Sequence, residues 1–294
     1  MRSKSAGARA YRIFSLVVLI ILAILFLFPL YWIITGALKP PAAINSPVPQ
    51  WWPKEFTLRN FQVLFSKRSA PLFQLGSIVG PTVPGAIRWL INTVFMAVMA
   101  MVLTCLTASM AGYALAKKRF TGRVVLFSLI VAAMALPKQV ILIPLIREMS
   151  ALGLYDNIWA VIFPTVGWPF GVFLMKQFSE GIPGEMIEAA RIDGAGEVMT
   201  FTTIVYPMIK PGVGALAIFT FINSWNDYFL QLIMLTSSSN LTISLGIATM
   251  QAENSTDFGL IMAGSALAAV PIIIVFLIFQ KYFTKGITMG AVKG

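Results

Sequence analysis

The sequence predicts an all-α, polytopic helical membrane protein with six transmembrane helices and both termini cytosolic. Three observations carry this. Hydrophobic residues make up 58% of the 294 positions, against 11% charged, and mean hydropathy is +0.83. The apolar residues gather in long runs, whereas a transmembrane barrel would show short alternating segments. The net charge of +11 is concentrated beside those runs, as orientation in a bilayer requires, so nucleic acid is not needed to explain it.

The first run, 13–35, is long enough to span a bilayer, which takes about 20 residues. Arg2, Lys4, Arg9 and Arg12 precede it in a cytosolic N-terminus, 1–12. It exceeds the length of a signal-peptide core and no A-x-A site follows, so it reads as a retained span. Residues 36–88 form a long extracytoplasmic loop whose Trp51 and Trp52 suit interfacial anchoring. The core, 89–294, supplies five more spans and a cytosolic loop, 176–210.

The second span is 89–112. Ala100, Thr104, Ala108 and Gly112 recur every four residues, a face that admits close helix packing. The third, 124–146, is interrupted by Pro137, which should kink it, and by Lys138, which needs water or a partner. The fourth, 158–175, is short and carries Pro164, Pro169, Gly167 and Gly171. The fifth is 213–235 and the sixth 260–283. Basic clusters at both termini, after the second span and in the loop 176–210 place all four on the cytosolic side.

That loop holds five of the chain's eleven acids, counted from Glu180 to Glu197. Pro183 suits a first helical position, Glu185 the first turn and Gly194 a C-cap. Ala189 and Ala190 leave a bare face for another protein. A second helical run, 197–206, should stop before Pro207. An ordinary amphipathic connector has the same cap signals. The spacing is more specific: Glu188, Ala189 and Ala190, three residues, Gly194, nine residues, Ile204, one residue, Tyr206 and Pro207. It resembles the EAA loop of ABC importer permeases, with Tyr206 where leucine is usual. The resemblance implies a type I ABC importer permease fold. It also implies a coupling helix that docks on an ATPase through Glu185, Glu188, Ala189, Ala190, Asp193, Gly194 and Pro207.

The fifth span is polar on one broad face, through Thr220, Asn223, Ser224, Asp227 and Gln231, with Trp225, Tyr228 and Phe229 beside it. Such a face inside hydrocarbon must meet a bundle interior or a wet cavity. Two readings stay open. Asn223, Trp225, Asn226, Asp227 and Tyr228 line a translocation path for polyols, whose rings stack on aromatic faces. Alternatively, the Asn and Asp residues join helices or cap a kink. The segment Asn223-Ser224-Trp225-Asn226-Asp227 resembles a signature of the carbohydrate, maltose-permease-like subfamily. So do Leu152-Gly153-Leu154, Ile182-Pro183, and the tail from Gln280 to Gly286 and from Gly290 to Gly294.

The resemblance implies a carbohydrate importer in the bacterial cytoplasmic (inner) membrane, with membrane lipid around it. Its partners would be a second related permease, two ATPase subunits and an extracytoplasmic sugar-binding protein. ATP and Mg would be bound by those ATPases, since this chain has no G-x-x-x-x-G-K-[ST] loop and no cofactor of its own. Gly290, Ala291, Val292, Lys293 and Gly294 would contact the ATPase pair, the alternative being a disordered end. No catalytic residue and no metal site is expected. One rival is a secondary transporter or channel using Lys138 and Asp227 within the spans. Another is a membrane phosphotransferase built on the acids near Asp193, but these alternate with apolar residues and do not gather as metal carboxylates do.

Overall fold

The computed structural model describes residues 6–75, 78–253 and 257–291. The apolar runs are helices because a helix satisfies its backbone groups within the segment, which lipid requires. In chain order the helices are α1 (Ala6–Ala37), α2 (Pro41–Ile44), α3 (Arg59–Ser66), α4 (Gly85–Lys117), α5 (Arg123–Ala133), α6 (Leu142–Ala151), α7 (Trp159–Val166) and α8 (Pro169–Glu180). There follow α9 (Gly184–Ile192), α10 (Glu197–Thr200), α11 (Tyr206–Asn226), α12 (Tyr228–Met234), α13 (Ile243–Glu253) and α14 (Phe258–Ala291). Between α3 and α4 the expected loop contains two short ladders. In one, β1 (Ser69–Pro71) pairs with β4 (Thr82–Pro84). In the other, β2 (Gln74–Leu75) pairs antiparallel with β3 (Ile78–Val79), with Gln74 opposite Val79.

Among the described residues, five helical stretches are long and apolar enough to cross a membrane: Gly7–Ala37, Gly85–Lys117, Trp159–Glu180, Glu197–Asn226 and Phe258–Gln280. The sixth expected span is not one helix. The chain turns by 101° between Arg123–Ala133 and Lys138–Ala151, so it makes a sixth span only if that bent pair is counted as one. Pro137, extended at ψ 131°, cannot continue α5, and a 3-10 turn over Lys138–Ile141 restarts the helix in a new direction.

The structure corrects the fifth span more sharply. Pro207 does not end a helix: Glu197–Asn226 runs as one apolar stretch. A π-helical turn, Phe201–Val205, sits just before the proline, and the Tyr206 amide donates to the Phe201 carbonyl five residues back. The wider turn accommodates a residue that lacks the usual N–H and would crowd the carbonyl four positions earlier. The helix stops instead at Asp227, well before Leu235.

Contacts divide the chain into two units. Met1–Ser69 and Ile247–Ala269 form the first. Within it, Gly36 meets the Met262 side chain, and Gly259 meets Asn60. The Asn60 amide donates to the Ala37 and Lys39 carbonyls at 2.8 and 2.9 Å, which ties α3 to the end of α1. Lys39 donates to the Gln50 carbonyl and lies over the Trp32 ring, and burial lowers its pKa.

Ala70–Gly246 and Val270–Gly294 form the second unit. Its core joins Cys105 and Ala108 of α4, Met175 of α8, and Val205, Ile209 and Leu216 of the 197–226 stretch. The four-residue stripe makes this packing possible. A Cβ on Gly112 would fall 2.6 Å from backbone atoms of Met175 and Lys176, while one on Gly171 would meet Ala108 and Thr104 at 3.3–3.4 Å. An alanine for a glycine inside an exposed helix stabilises by roughly 0.5–1 kcal/mol. Gly112→Ala is expected to reverse that sign and lower the thermal midpoint of the purified protein, because backbone cannot yield as a side chain does. A raised midpoint would show that α4 and α8 separate freely.

Candidate functional site

The loop between α8 and α11 is built as the motif spacing demands. Pro183 is the N-cap, one position earlier than expected, with Glu185 in the first turn of α9 and Arg191 in the last. Beyond the end of α9, Gly194 takes φ +80°. Its amide donates to the Arg191 carbonyl at 3.0 Å, and the Ala195 amide reaches the Ala190 carbonyl at 2.9 Å. This pair of bonds closes the helix end and requires a left-handed residue, for which glycine has no Cβ penalty. Glu185, Glu188, Ala189 and Asp193 are exposed. Ala190 is not: with Ile187 it faces its own chain. The expected two-alanine docking face is therefore corrected to one outward alanine. The rest of the exposed apolar surface is Ile192 (87% exposed), Val198 (78%), Met199 and Met186. Composition could have flagged these, since each is apolar within an acidic loop.

On the other part of the second unit, three helix breaks meet around a cavity of about 490 Å³, within the size range of small-molecule sites. Lys138 and Gln139 come from the turn after α5, Thr165 and Trp168 from the α7–α8 break, Asn223 and Asp227 from the end of α11, and Phe170 and Phe229 add rings. Asp227 has left helical geometry at ψ 64° and caps α12, accepting from the Leu230 amide. Its other oxygen lies 3.0 Å from the Lys138 ammonium. Asp227 therefore caps the kink and also lines a cavity, beside the cation that needed a partner.

The other candidates separate. Asn223 lines the cavity. Trp225 does not: it is 2% exposed and stacks on Phe221 at 5.5 Å, which corrects its expected place on the path. Asn226 is exposed but donates to the Ile222 carbonyl of its own helix at 2.9 Å, and Tyr228 is 40% exposed. Gln231 is buried, donating to the Ser224 carbonyl and accepting from Thr242, so it bridges the helix break. A second cavity, of about 540 Å³, is lined by Met101, Cys105, Leu106, Phe201 and Ala217, with Lys210 among them. Its wall is mostly apolar, but Thr202 and Tyr206 also bring hydroxyls to it and Tyr206 and Phe279 bring rings.

The segment after α12 is fastened at both sides. Asp156, at φ +57°, accepts from the Thr236 and Ser237 amides at 2.7 and 2.9 Å and from the Ser237 hydroxyl. Burial acts to raise its pKa, but the hydrogen bonds from Ser237 and Thr236 outweigh it and hold the carboxyl below its ordinary value. From α4, Arg88, Trp89 and Asn92 donate to the Ser239, Ser238 and Leu241 carbonyls.

Comparison with known proteins gives this geometry its context. Residues 106–289 match the family described as "binding-protein-dependent transport system inner membrane component". The match spans both the α9 loop and the cavity. The chain belongs to this family of permeases. It is 33% identical to the arabinooligosaccharides transport system permease protein AraQ of Bacillus subtilis, over 97% of this chain and 96% of that one. It is 30% identical to the melibiose/raffinose/stachyose import permease protein MelC of the same organism, over 99% and 100%. A crystal structure of a bacterial ABC transporter involved in alginate import contains a chain that superposes with a TM-score of 0.74 at 23% identity, over 96% of this chain and all of that one. That likeness shows the type I importer permease fold.

The permease is thus an inner-membrane component with two separate sets of candidate residues, the α9 loop and the cavity. Of the tail residues, Gly290 and Ala291 end α14, while Val292, Lys293 and Gly294 lie outside the described residues. The Lys138–Asp227 pair was not legible as a pair, because the two residues are 89 positions apart and meet only through two helix breaks.

Proposed function

We propose that this permease forms half of the translocation pathway of an ATP-driven, binding-protein-dependent importer for a carbohydrate, and is itself non-catalytic. The second half is a related permease. Two ATPase subunits bind ATP and Mg, and an extracytoplasmic sugar-binding protein delivers the substrate. In this reading both termini and α9 face the cytosol. Glu185, Glu188, Ala189, Asp193 and the helix end shaped by Gly194 meet the ATPase, and Pro207 lies within the span that follows. Gly290 to Gly294 add a second ATPase contact.

The observation that carries the reading is the cavity, where Asn223, Asp227, Lys138 and Gln139 stand beside Trp168, Phe170 and Phe229. Hydroxyls need donors and acceptors, and sugar rings stack on aromatic faces. Alternation between inward- and outward-open states would follow from ATPase closure, each ligand favouring one state. The test is co-purification and reconstitution. The permease is expected to purify with stoichiometric ATPases and to import an oligosaccharide only with the binding protein and ATP. Removing residues 290–294 should change ATP hydrolysis but not membrane insertion. Uptake by the isolated chain, driven by an ion gradient, would instead favour a secondary transporter that uses Lys138 and Asp227.

A further inference from the structure

Both ends of α9 are tied to one point, the C-terminal end of α4. Lys117 is the last residue of α4, and its ammonium donates to the Ile182 carbonyl at 2.6 Å and the Glu180 carbonyl at 3.1 Å. These carbonyls belong to the turn between α8 and α9, where helix-end carbonyls lack partners and favour a cation. Lys118, the next residue, reaches the opposite side. It pairs with the Glu197 carboxylate at the start of α10, whose other oxygen lies 3.5 Å from the Arg191 guanidinium in the last turn of α9. Tyr113, one turn earlier on α4, brings its hydroxyl to 3.5 Å from the same carboxylate and its ring to 5.8 Å from Phe201 in the π turn.

The arrangement matters because α9 buries little against its own chain beyond Ile187 and Ala190. Exposed ion pairs of this kind add little stability. What they add is geometry, since two successive lysines, the last residue of α4 and its C-cap, hold the chain before α9 and after it. Along its length α4 is then packed against α8 without slack, at Gly112 and at Gly171. Trp168 and Phe170, at the far end of α8, line the cavity.

We propose that Lys117 and Lys118 are positioning residues that clasp α9 to α4, so that displacement of α9 is passed through the α4–α8 pair to the cavity. This rests on α9 being the ATPase contact. In the reconstituted complex with its ATPases and binding protein, Lys118→Glu and Glu197→Lys are each expected to lower sugar imported per ATP hydrolysed by at least about fivefold, the scale of ordinary coupling free energies, while the ATPases stay bound. Lys118→Glu combined with Glu197→Lys restores that pair but leaves Arg191 facing a lysine, so it should recover part of the ratio, while membrane insertion and ATPase binding, which a merely structural role would change, stay constant across the variants. Lys117→Met should act in the same direction. If Lys118→Glu fails to reach the membrane, Glu197→Gln removes the same pair without reversing a charge. An unchanged import-to-hydrolysis ratio in the single variants, or no recovery in the swap, overturns the clasp. The reading of α9 is judged separately by cross-linking Glu188→Cys to the ATPase in a Cys105→Ala background. A cross-link with inert clasp variants sinks the clasp alone, and no cross-link sinks the ATPase contact.

Discussion

Asp227→Ala is expected to abolish most sugar uptake, by roughly tenfold or more, the rate equivalent of about 1.4 kcal/mol. The substitution removes three things at once. The Lys138 ammonium loses its partner at 3.0 Å, a pair worth at most about 1 kcal/mol because the lysine side chain is half exposed. The break between α11 and α12 loses its cap, worth about 1 kcal/mol in typical helices. The cavity also loses its acceptor for sugar hydroxyls. Asp227→Asn keeps the cap and an acceptor but not the charge, so it should retain more uptake than alanine. Exposure to the path has its own check. Asp227→Cys in a Cys105-free background should react with a polar thiol reagent added from outside, and faster when the complex is trapped outward-open. A thiol inert in every trapped state, with normal uptake by Asp227→Ala, would reduce Asp227 to a structural cap.

Gly194→Val is expected to lower uptake by a similar factor while the protein still reaches the membrane. The position sits at φ +80°, and a Cβ there would meet nothing within 4 Å, so space is not the obstacle. Backbone geometry is: the left-handed conformation costs an ordinary L-residue roughly 1–2 kcal/mol, and a β-branched one fares worse. Relief would come from undoing the Gly194–Arg191 and Ala195–Ala190 bonds, which shape the end of α9. Glu188→Lys attacks the same surface by reversing an exposed charge and leaves the helix end intact. ATPase association measured by pull-down should fall in both variants. Native association and uptake in both would remove α9 from the coupling role.

Much of this was legible in the chain itself. The α9 loop could be read because its signals are local: Pro183 at the helix start, within one position, Glu185 in the first turn and Gly194 just past the end all lie close together in the chain, so helix propensity and capping decide the outcome. The first, second, fourth and sixth apolar runs coincide with helices long enough to cross a membrane, since a run of apolar residues has few alternatives in lipid. Prolines were read unevenly. At Pro137 the expected kink is a full break of 101° between two helices, whereas Pro207, expected to stop a helix, lies inside a continuous one. The difference is a π turn before Pro207, stabilised where Val205 and Ile209 are buried against α4 and α8, and no local rule distinguishes the two cases.

By itself the sequence determined the membrane class, the helical content, the placement of most spans and the shape of the α9 loop. Each follows from hydrophobicity or from backbone preferences within a few residues. Only the tertiary structure decided which polar residues of the fifth span face a cavity. Asn223 and Asp227 do, while Trp225 and Gln231, on the same short segment, are buried and used internally. Only the tertiary structure, too, gave Lys138 its carboxylate and brought Lys117 and Lys118 to the two ends of α9. The physical reason is range. A helix face can be counted from a 3.6-residue period, but the break at Asp227 resets that period, and an ion pair between distant residues depends on where neighbouring helices happen to end.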